Sequence, residues 1–588
     1  MGYVGKILNV DLAKRKIKTE TLNDVFYRKW LGGYGVGSRT LYNHMAPNED
    51  PLGPGNILGI TTGVLTGTLA PFSGSMTVVA KSPLTGYWGD ARAGGFFGSE
   101  LRSAGFDDIF FYGRSEKPVY LWINDGEAEI RDASDIWGKN VRETEKILKE
   151  AHNDEKVQVA SIGRSGEELS SISAVMTDEG RAAARSGLGA VMGSKKLKAV
   201  AVRGTGKILV AHTDRLLEYR KRIIGLMKEN PMFDRFATFG TTGGTHLSAF
   251  SGDSGVKNWG GSGKEDFPTA EKLSGENVKK YTVRKYACFG CPVGCGALQR
   301  VQSGPYACEG HRPEYETLAA FGSMCLNDNV ESIIHLNHIC NEYGLDTISV
   351  GGTIAFAIEC YENGIITEND TEGVKLTWGN SDAMVAMTRK LAANEGFGKI
   401  LFNGVKVASQ KIGKGSERFA MHVCGQEIPQ HDPRLLTNPY NSTCQLMYVS
   451  DATPARHTQS PGIGFASQAS GMCMFSGFLT TATEEPPKLS DLVNAVTGWN
   501  LTMDDMLVIA NRIVTMRQLF NIREGWKPSD FTYPDRILGK LPLKSGPLAG
   551  VTIDPDPRRR EYYESLGWDP KTGRPSKAKL AELELEAP

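Results

Sequence analysis

Short apolar runs separated by polar or glycine-containing turns fill the first two hundred residues of the chain. Residues 6–12 and 17–22 flank a polar turn and predict an opening β-hairpin. The runs at 57–63, 76–81 and 109–113 have the same character, and 199–202 is the last of them. We therefore predict a β-rich base domain over residues 1–207.

The apolar spacing becomes helical beyond that point. Leu216, Ile223 and Met227 lie seven and four residues apart, on one helical stripe from Thr213 onwards. The segment Val330–Tyr343 predicts a helix that ends at Gly344, and an apolar stripe over 506–520 predicts a late helix. Two mostly helical domains, 208–420 and 421–588, therefore complete an α+β fold.

Two further segments stand apart from this pattern. Residues 236–267 are dense in Gly, Ser and Thr and are long for a structureless connection, which indicates a functional loop. The charged tail after Asp554 is expected to lie on the surface. The glycine run 32–37 lacks the spacing of a dinucleotide-binding loop, so we interpret it as a turn.

Composition excludes several classes of protein. Among the 588 residues, Lys plus Arg and Asp plus Glu both number 67, which argues against binding to nucleic acid or to an anionic membrane. No apolar run reaches the ~20 residues of a membrane span, and the first residues lack a secretion signal. Ten cysteines then favour reduced thiols and metal ligation in a cytoplasmic protein.

Three of the cysteines are closely spaced. Cys288, Cys291 and Cys295 have Gly and Pro between them, so the backbone can fold around one metal centre. A cubane iron–sulfur cluster needs a fourth thiolate, which a distant cysteine can supply. A zinc site and a purely structural set of cysteines are the alternatives, although no second Cys-x-x-Cys pair is present.

A six-residue pattern occurs twice. Residues 341–346 and 468–473 both read amide, two residues, Gly, aliphatic, then an acid or a thiol. Each is expected to end a helix at its glycine and to leave the next backbone amides free for a ligand. Two such half-sites suit a ligand that is present twice, and a chance similarity is the alternative.

Together these motifs resemble the tungsten-containing aldehyde:ferredoxin oxidoreductase family. The resemblance runs from Gly5 to about Leu566 and includes the segments 81–86, 94–101, 181–195 and 313–316. It implies a β-sheet base domain below two helical domains. It also implies tungsten or molybdenum held by two pterins, Mg²⁺ between the pterin phosphates, and one [4Fe–4S] cluster.

The resemblance assigns roles to individual residues. The cluster ligands that it implies are Cys288, Cys291, Cys295 and Cys473, and the catalytic pair is Glu316 and His457. The pterin contacts that it implies are Ser75, Arg92, Gly94, Gly95, Arg181, Ala182, Asn341, Gly344, Leu345, Asp346, Gln468 and Met472.

Several positions depart from the family pattern. Asn341 and Gln468 replace acids, and Gln459 replaces a lysine near the histidine. The family has Arg where this chain has Ser75 and Asn where it has Arg92, so positive charge has moved within the same site. His335 and Val385 replace the ligands of an iron between subunits, which we expect to be missing. Cys308 is either a ligand of the metal or a buried free thiol.

The function that the resemblance implies is oxidation of an aldehyde by water to a carboxylic acid under anaerobic conditions. Electrons would pass through the cluster to ferredoxin or an associated iron–sulfur subunit, in a homodimer or a larger complex. The alternative is a low-potential reductase of an aryl-CoA thioester or another acceptor, like the catalytic subunit of benzoyl-CoA reductase. A third possibility is an electron-transfer subunit that keeps the cluster without the pterin metal.

Overall fold

The computed structural model describes residues 2–480 and 487–586. Its first two hundred residues contain twelve strands. They are β1 (Lys6–Asp11), β2 (Lys16–Thr21), β3 (Leu58–Thr61), β4 (Met76–Lys81), β5 (Trp88–Ala93), β6 (Asp108–Tyr112), β7 (Val119–Asn124), β8 (Glu127–Asp132), β9 (Gln158–Ser161), β10 (Val175–Thr177), β11 (Arg181–Ala183) and β12 (Leu197–Arg203). The helices among them are α1 (Asp24–Trp30), α2 (Gly33–His44), α3 (Phe97–Ser103), α4 (Val141–His152), α5 (Arg164–Glu167) and α6 (Leu188–Ser194).

These strands form two six-stranded sheets with the same topology. One sheet has the order β2-β1-β6-β3-β4-β5, and the other has the order β8-β7-β12-β9-β10-β11. In each sheet one strand of the first hairpin is parallel to its other neighbour, β1 to β6 and β7 to β12. The other neighbouring strands are antiparallel. The base is therefore an internal duplication at the level of strand pairing.

Alternating side chains hold the two sheets together. Leu8, Val10 and Phe111 of one sheet share a buried cluster with Leu121 and Val200 of the other. Phe110, which points to the opposite face of its strand, joins the large core beneath the helices instead. The period of two along each strand thus gives the first sheet one face for the sandwich and one for the helical part, whereas the second face of the other sheet packs against α4 of the base.

The middle of the chain is mostly helical, with one small sheet. Its helices are α7 (Thr213–Lys228), α8 (Pro231–Phe239), α9 (Thr245–Ser251), α10 (Gly263–Asp266), α11 (Gly275–Lys279), α12 (Tyr315–Phe321), α13 (Val330–Tyr343), α14 (Thr347–Glu362), α15 (Ser381–Ala392), α16 (Gly398–Leu401) and α17 (Gly404–Ile412). The sheet consists of β13 (Thr282–Tyr286), β14 (Gly296–Val301) and β15 (Cys308–His311).

The last part contains one short hairpin and seven helices. The hairpin is β16 (His422–Val423) with β17 (Gln426–Glu427). The helices are α18 (Pro439–Ser450), α19 (Ile463–Ala469), α20 (Phe475–Thr480), α21 (Leu489–Thr497), α22 (Met503–Arg523), α23 (Asp556–Ser565) and α24 (Lys577–Glu582). Among the described residues, no helix is both long enough and apolar enough to cross a membrane.

The predicted α+β class is confirmed, with a sheet-rich first part and a helical remainder. The helix over Val330–Tyr343 ends at Gly344, which has the left-handed conformation expected of a C-terminal glycine. The domain boundaries, including the one near residue 420, stay predictions.

Two local predictions were wrong. The run 32–37 is not a turn, because α2 begins at Gly33, and a Cβ on Gly37 would come within 2.8 Å of Val79. Its glycines therefore serve the close packing of α2 on β4. Residues 236–267 are largely helical turns rather than one loop. The tail after Asp554 lies on the surface as predicted, where it forms α23 and is anchored by the buried Tyr563.

Candidate active site

A cavity of about 600 Å³ lies between the edge strands β5 and β11 of the base and the helices above them. Most of the predicted site residues line it. These are Ser75, Arg92, Gly94, Arg181, Ala182, Cys288, Cys291, Cys295, Glu316, Asn341, Leu345, Asp346, His457 and Cys473. Gly95, Gly344, Gln468 and Met472 lie behind this wall, so their contact with a ligand stays a prediction.

The loop that carries the three clustered cysteines connects β13 to β14 and is held against the base. The Phe289 amide donates to the Gly95 carbonyl at 3.1 Å, and a Cβ on Gly94 would lie 3.0 Å from the Cys288 sulfur. Cys473 reaches the same wall because its amide donates to the Phe72 carbonyl at 3.0 Å. Sequence positions nearly two hundred residues apart are thus brought together.

The electrostatics of the thiols reflect this proximity. Burial raises the pKa of Cys473 to about 12, with smaller contributions in the same direction from the neighbouring Cys291 and Cys288. Burial likewise raises the pKa of Cys288, although the Arg181 guanidinium opposes it. Iron would favour the thiolates that burial disfavours.

No three His, Cys, Asp or Glu side chains in the described ranges converge closely enough to hold a single metal ion. A zinc site at the triplet therefore has no geometric support. A [4Fe–4S] cluster makes a different demand, because its four thiolates bind four separate irons and are spread around the cubane. The four cysteines on the cavity wall fit that donor set.

The first repeated motif is fixed to the base by a glycine contact. A Cβ on Gly163, two residues after β9, would lie 2.2 Å from the Tyr343 carbonyl oxygen. The Asp346 amide also donates to the Ile172 carbonyl at 3.0 Å, and Ser173 bridges to Leu345. The end of α13 is therefore held directly against the second sheet.

The second motif is fixed in the same way to the first sheet. A Cβ on Gly63, two residues after β3, would lie 2.0 Å from the Ser470 carbonyl carbon. The Leu65 amide donates to the Ser470 carbonyl at 2.9 Å, and Gly471 has φ +96°. Since β3 and β9 occupy equivalent places in the two sheets, the two helix ends are equivalent as well.

The edge strands complete this equivalence. Arg92 on β5 pairs with Thr77, which pairs with Thr61 of β3. Ala182 on β11 occupies the corresponding position, because it pairs with Met176, which pairs with Ser161 of β9. Two half-sites of the same construction thus face one cavity, as a ligand present twice requires.

Buried polar atoms without a hydrogen bond in the described structure mark where such a ligand would bind. On the cavity wall they include Arg92 Nε, Arg181 Nε and Nη2, and Arg185 Nε. Native proteins rarely leave buried polar groups unpaired. Guanidinium groups suit the phosphates of pterins, so these residues fit two pterins.

Glu316 and His457 meet at the cavity wall. The Glu316 Oε1 atom is 3.5 Å from His457 Nδ1, and neither buried atom has a hydrogen bond among the described residues. The other carboxylate oxygen accepts from the Gln430 amide at 2.8 Å, which fixes the group. Burial raises the pKa of Glu316 to about 7, although His431 opposes this rise. Burial, His431 and Arg185 hold the pKa of His457 well below its usual value.

His431 belongs to this group, and the sequence analysis missed it. Its Nδ1 donates to Asp253 Oδ1 at 2.9 Å, and its Nε2 lies 3.7 Å from Glu316 Oε1. Burial lowers the pKa of His431, but Asp253 outweighs it and raises the pKa above its usual value. Pro429 and Pro433 on either side were the available signal of a rigid turn.

The departures from the family pattern lie in different surroundings. Ser75 and Asn341 line the cavity, but Cys308 does not. Cys308 pairs with Val301 in the small sheet, where burial raises its pKa to about 11. It therefore fits the interpretation as a free thiol. His335 bonds Arg389 at 2.6 Å, and Val385 is buried on α15.

Comparisons with known proteins agree with this geometry. The family model described as aldehyde ferredoxin oxidoreductase, N-terminal domain, matches residues 7–204. The model described as aldehyde ferredoxin oxidoreductase, domains 2 & 3, matches residues 218–469 and 463–585. The tungsten-containing aldehyde ferredoxin oxidoreductase of Pyrococcus horikoshii is 39% identical, with 100% of this chain and 99% of that protein covered. The aliphatic sulfonate oxidoreductase, WOR-like subunit, of Pyrococcus furiosus is 32% identical, with 99% of this chain and 97% of that protein covered.

A solved structure is also similar along the whole chain. The active-site complex BamBC of benzoyl coenzyme A reductase, with 1,5-dienoyl-CoA, aligns with a TM-score of 0.82 and 26% identity. The alignment covers 99% of this chain and 97% of that one. The chain belongs to the tungsten-containing aldehyde ferredoxin oxidoreductase family, whose members are oxidoreductases with a tungstopterin cofactor.

Proposed function

We propose that the protein oxidises an aldehyde with water to the carboxylic acid and passes the electrons to ferredoxin or an associated iron–sulfur subunit in the cytoplasm. One observation carries the proposal. The unpaired Glu316 Oε1 and His457 Nδ1 atoms face each other at 3.5 Å in the cavity that also contains the four cysteines. A base and a hydrogen-bonding partner are thus present where cofactor and substrate would meet.

The cofactors would be held by the equivalent half-sites. One pterin would lie between Arg92 and the Gln468 helix end, and the other between Arg181 with Ala182 and the Asn341 helix end. Mg²⁺ would accompany the pterin phosphates, and Cys288, Cys291, Cys295 and Cys473 would hold a [4Fe–4S] cluster. When bound, the metal centre supplies Lewis acidity and accepts two electrons, which the cluster passes on.

The protein's own residues manage the proton and the charge on oxygen. Conversion of R–CHO and water to R–COOH releases two electrons and two protons. Glu316 would take a proton from the attacking water, for which a pKa of about 7 is well matched to neutral pH. His457, kept neutral by its surroundings, would donate a hydrogen bond to the carbonyl oxygen as negative charge develops there.

His431 would tune this base. Its cation, stabilised by Asp253, lies 3.7 Å from Glu316 Oε1 and therefore favours the carboxylate form of Glu316. His431 acts through Glu316 and is a positioning residue rather than a group that contacts the reacting atoms.

The aryl-CoA reductase alternative rests on the similarity to the benzoyl coenzyme A reductase complex. In the sequence, the feature that favoured this alternative was Cys308 as a possible thiolate ligand of the metal. Cys308 does not line the cavity. Aldehyde oxidation is therefore the function that these residues support best. Turnover of an aryl-CoA thioester with a reduced viologen would favour the aryl-CoA reductase function over aldehyde oxidation.

Replacement of Glu316 by Gln tests the proposal. The amide cannot accept the proton, so turnover with a viologen acceptor should fall by about 10²- to 10⁴-fold, with tungsten and iron contents unchanged. Glu145→Gln is the matched control, because burial also raises the pKa of Glu145 on α4 and this residue lies outside the cavity. Near-normal turnover in Glu316→Gln would remove Glu316 from the mechanism.

A further inference from the structure

A row of six rings runs along one side of the cavity. In order, it consists of Tyr315, His431, Tyr440, Phe478, Phe475 and Phe236, and all six line the cavity. Their successive ring centroids are 4.8, 4.8, 5.3, 6.2 and 4.9 Å apart. These spacings lie within the range in which aromatic groups contact one another, so the row is one continuous surface.

The row connects the catalytic residues to the outside. At its inner end, His431 lies beside Glu316, and its ring centroid is 5.8 Å from that of His457. Farther out along the row, Phe478 is 41% exposed, and Met232, which also lines the cavity, is 36% exposed. The surface thus leads from solvent to the reacting position.

The outer rings do not fill a core. Helix α8, which carries Phe236, has no fully buried residue, and Phe475 with Phe236 forms a half-buried pair. Three separate helices, α8, α18 and α20, bring these rings to one exposed wall. Exposed aromatic area is costly unless a ligand covers it, which points to an apolar and flat occupant.

One charged side chain at the cavity argues for a different substrate. Arg235 lines the cavity and directly precedes Phe236 on α8. Among residues 2–480 and 487–586 it has no ion pair. Its guanidinium, however, lies over Gly244, where an added Cβ would come within 1.8 Å of Nη2. The guanidinium is therefore directed towards the turn that precedes α9. An anionic substrate that pairs with Arg235 is the competing possibility.

We propose that the ring row binds the substrate and selects planar aromatic aldehydes over short aliphatic or anionic ones. This inference rests on the proposed aldehyde oxidation and names its substrate class. The aldehyde group would lie at Glu316 and His457, with the aromatic part stacked against Tyr440 and the phenylalanines. A methyl group or a carboxylate in the same place would leave most of the row uncovered.

Steady-state rates of the holoenzyme under anaerobic conditions test this. With a viologen acceptor, kcat/KM for benzaldehyde and cinnamaldehyde should exceed that for acetaldehyde and succinic semialdehyde by at least about tenfold. Phe478→Ala and Phe236→Ala should each lower this ratio by about 5- to 10-fold. Leu541→Ala, at a 63% exposed position outside the cavity, is the control.

Equal or greater kcat/KM for acetaldehyde or succinic semialdehyde would overturn the inference, as would an unchanged ratio in both phenylalanine variants. Failure to oxidise any aldehyde would instead contradict the proposed function. The ring row can still be tested then by calorimetric titration of benzoate and acetate. Benzoate should bind at least about tenfold more tightly in the parent protein and lose that preference in Phe478→Ala. Equal affinities would contradict the row as an aromatic site.

Discussion

The Glu316 carboxylate shows how one buried residue acquires its chemistry from its neighbours. Burial raises its pKa to about 7, and the cation at His431 opposes that rise. Asp253 in turn raises the pKa of His431 through a 2.9 Å hydrogen bond. Three residues from separate parts of the chain therefore set the protonation state of a single base.

This arrangement predicts the pH dependence of kcat/KM. In the proposed mechanism activity needs the carboxylate form of Glu316, so kcat/KM should fall as pH drops through about 7 and level off above it. Asp253→Asn removes the charge that holds the proton on His431. Loss of the His431 cation, which lowers the pKa of Glu316, outweighs loss of the smaller direct effect of Asp253, which raises it. The pKa of Glu316 should then rise, and the acidic limb of the profile should move to higher pH.

His431→Asn should move the acidic limb in the same direction, because it removes the cation itself. His335→Asn, on α13 and outside the cavity, serves as the matched control for a histidine substitution. An unchanged limb in both Asp253→Asn and His431→Asn, with metal contents intact, would show that the pair has no electrostatic role.

At the level of elements, two glycines decide how closely each helix end approaches its sheet. Gly63 and Gly163 follow equivalent strands, and a Cβ at either would lie 2.0 or 2.2 Å from the backbone of the facing motif. Because backbone rather than a flexible side chain occupies that space, the motif must move. The two half-sites can therefore be disturbed one at a time.

Gly63→Ala and Gly163→Ala should give different metal contents. Gly63→Ala displaces Ser470 and with it Cys473, so iron and tungsten should both fall. Gly163→Ala displaces the Tyr343 end of α13, so tungsten should fall while the iron content is retained. Each substitution should also cost about 1–3 kcal/mol in free energy of unfolding.

Gly225→Ala on α7 is the control for the glycine series, because nothing lies within 4 Å of an added Cβ there. Elemental analysis of anaerobically purified protein gives the readout. Equal loss of iron in Gly63→Ala and Gly163→Ala would contradict the separation of the two half-sites.

Local patterns predicted several elements correctly. The opening hairpin follows from alternation, and α13 and α22 follow from helical spacing with a terminal glycine or a long apolar stripe. The glycine run at the start of α2 misled because its small residues serve packing against β4, which no local signal reveals. The duplication of the sheets was also invisible, since it resides in strand pairing rather than in sequence.

The candidate site was predictable only where a motif marked it. The cysteine triplet and the repeated glycine pattern could be found by spacing, and the family resemblance supplied Glu316 and His457. Asp253 and His431 are 178 positions apart and meet only in the folded chain. No periodicity connects such residues, so their pairing required the structure.

At the scale of the whole molecule, buried charges join the base to the last helices. Asp90 on β5 pairs with Arg517 of α22 at 3.0 Å, and Arg517 pairs with Asp451 at 2.7 Å. Arg456 also pairs with Asp90, one residue before His457. The cavity wall on β5 and the segment with the catalytic histidine are therefore held in fixed relation.

That fixed relation allows one cavity to bring together Glu316, the two half-sites and the four cysteines. The account as a whole requires that electrons removed from an aldehyde at Glu316 and His457 reach the thiolate-bound iron. An electron-transfer subunit without the pterin metal would contain the cluster but could not accept electrons from an aldehyde.

Aldehyde-driven reduction of the cluster tests this claim most directly. Anaerobically purified protein should contain one tungsten or molybdenum and about four iron atoms per chain. Addition of benzaldehyde should produce the electron paramagnetic resonance signal of a reduced cluster in the parent protein and not in Glu316→Gln. Iron without tungsten or molybdenum, or a fully loaded protein whose cluster no aldehyde reduces, would contradict the account.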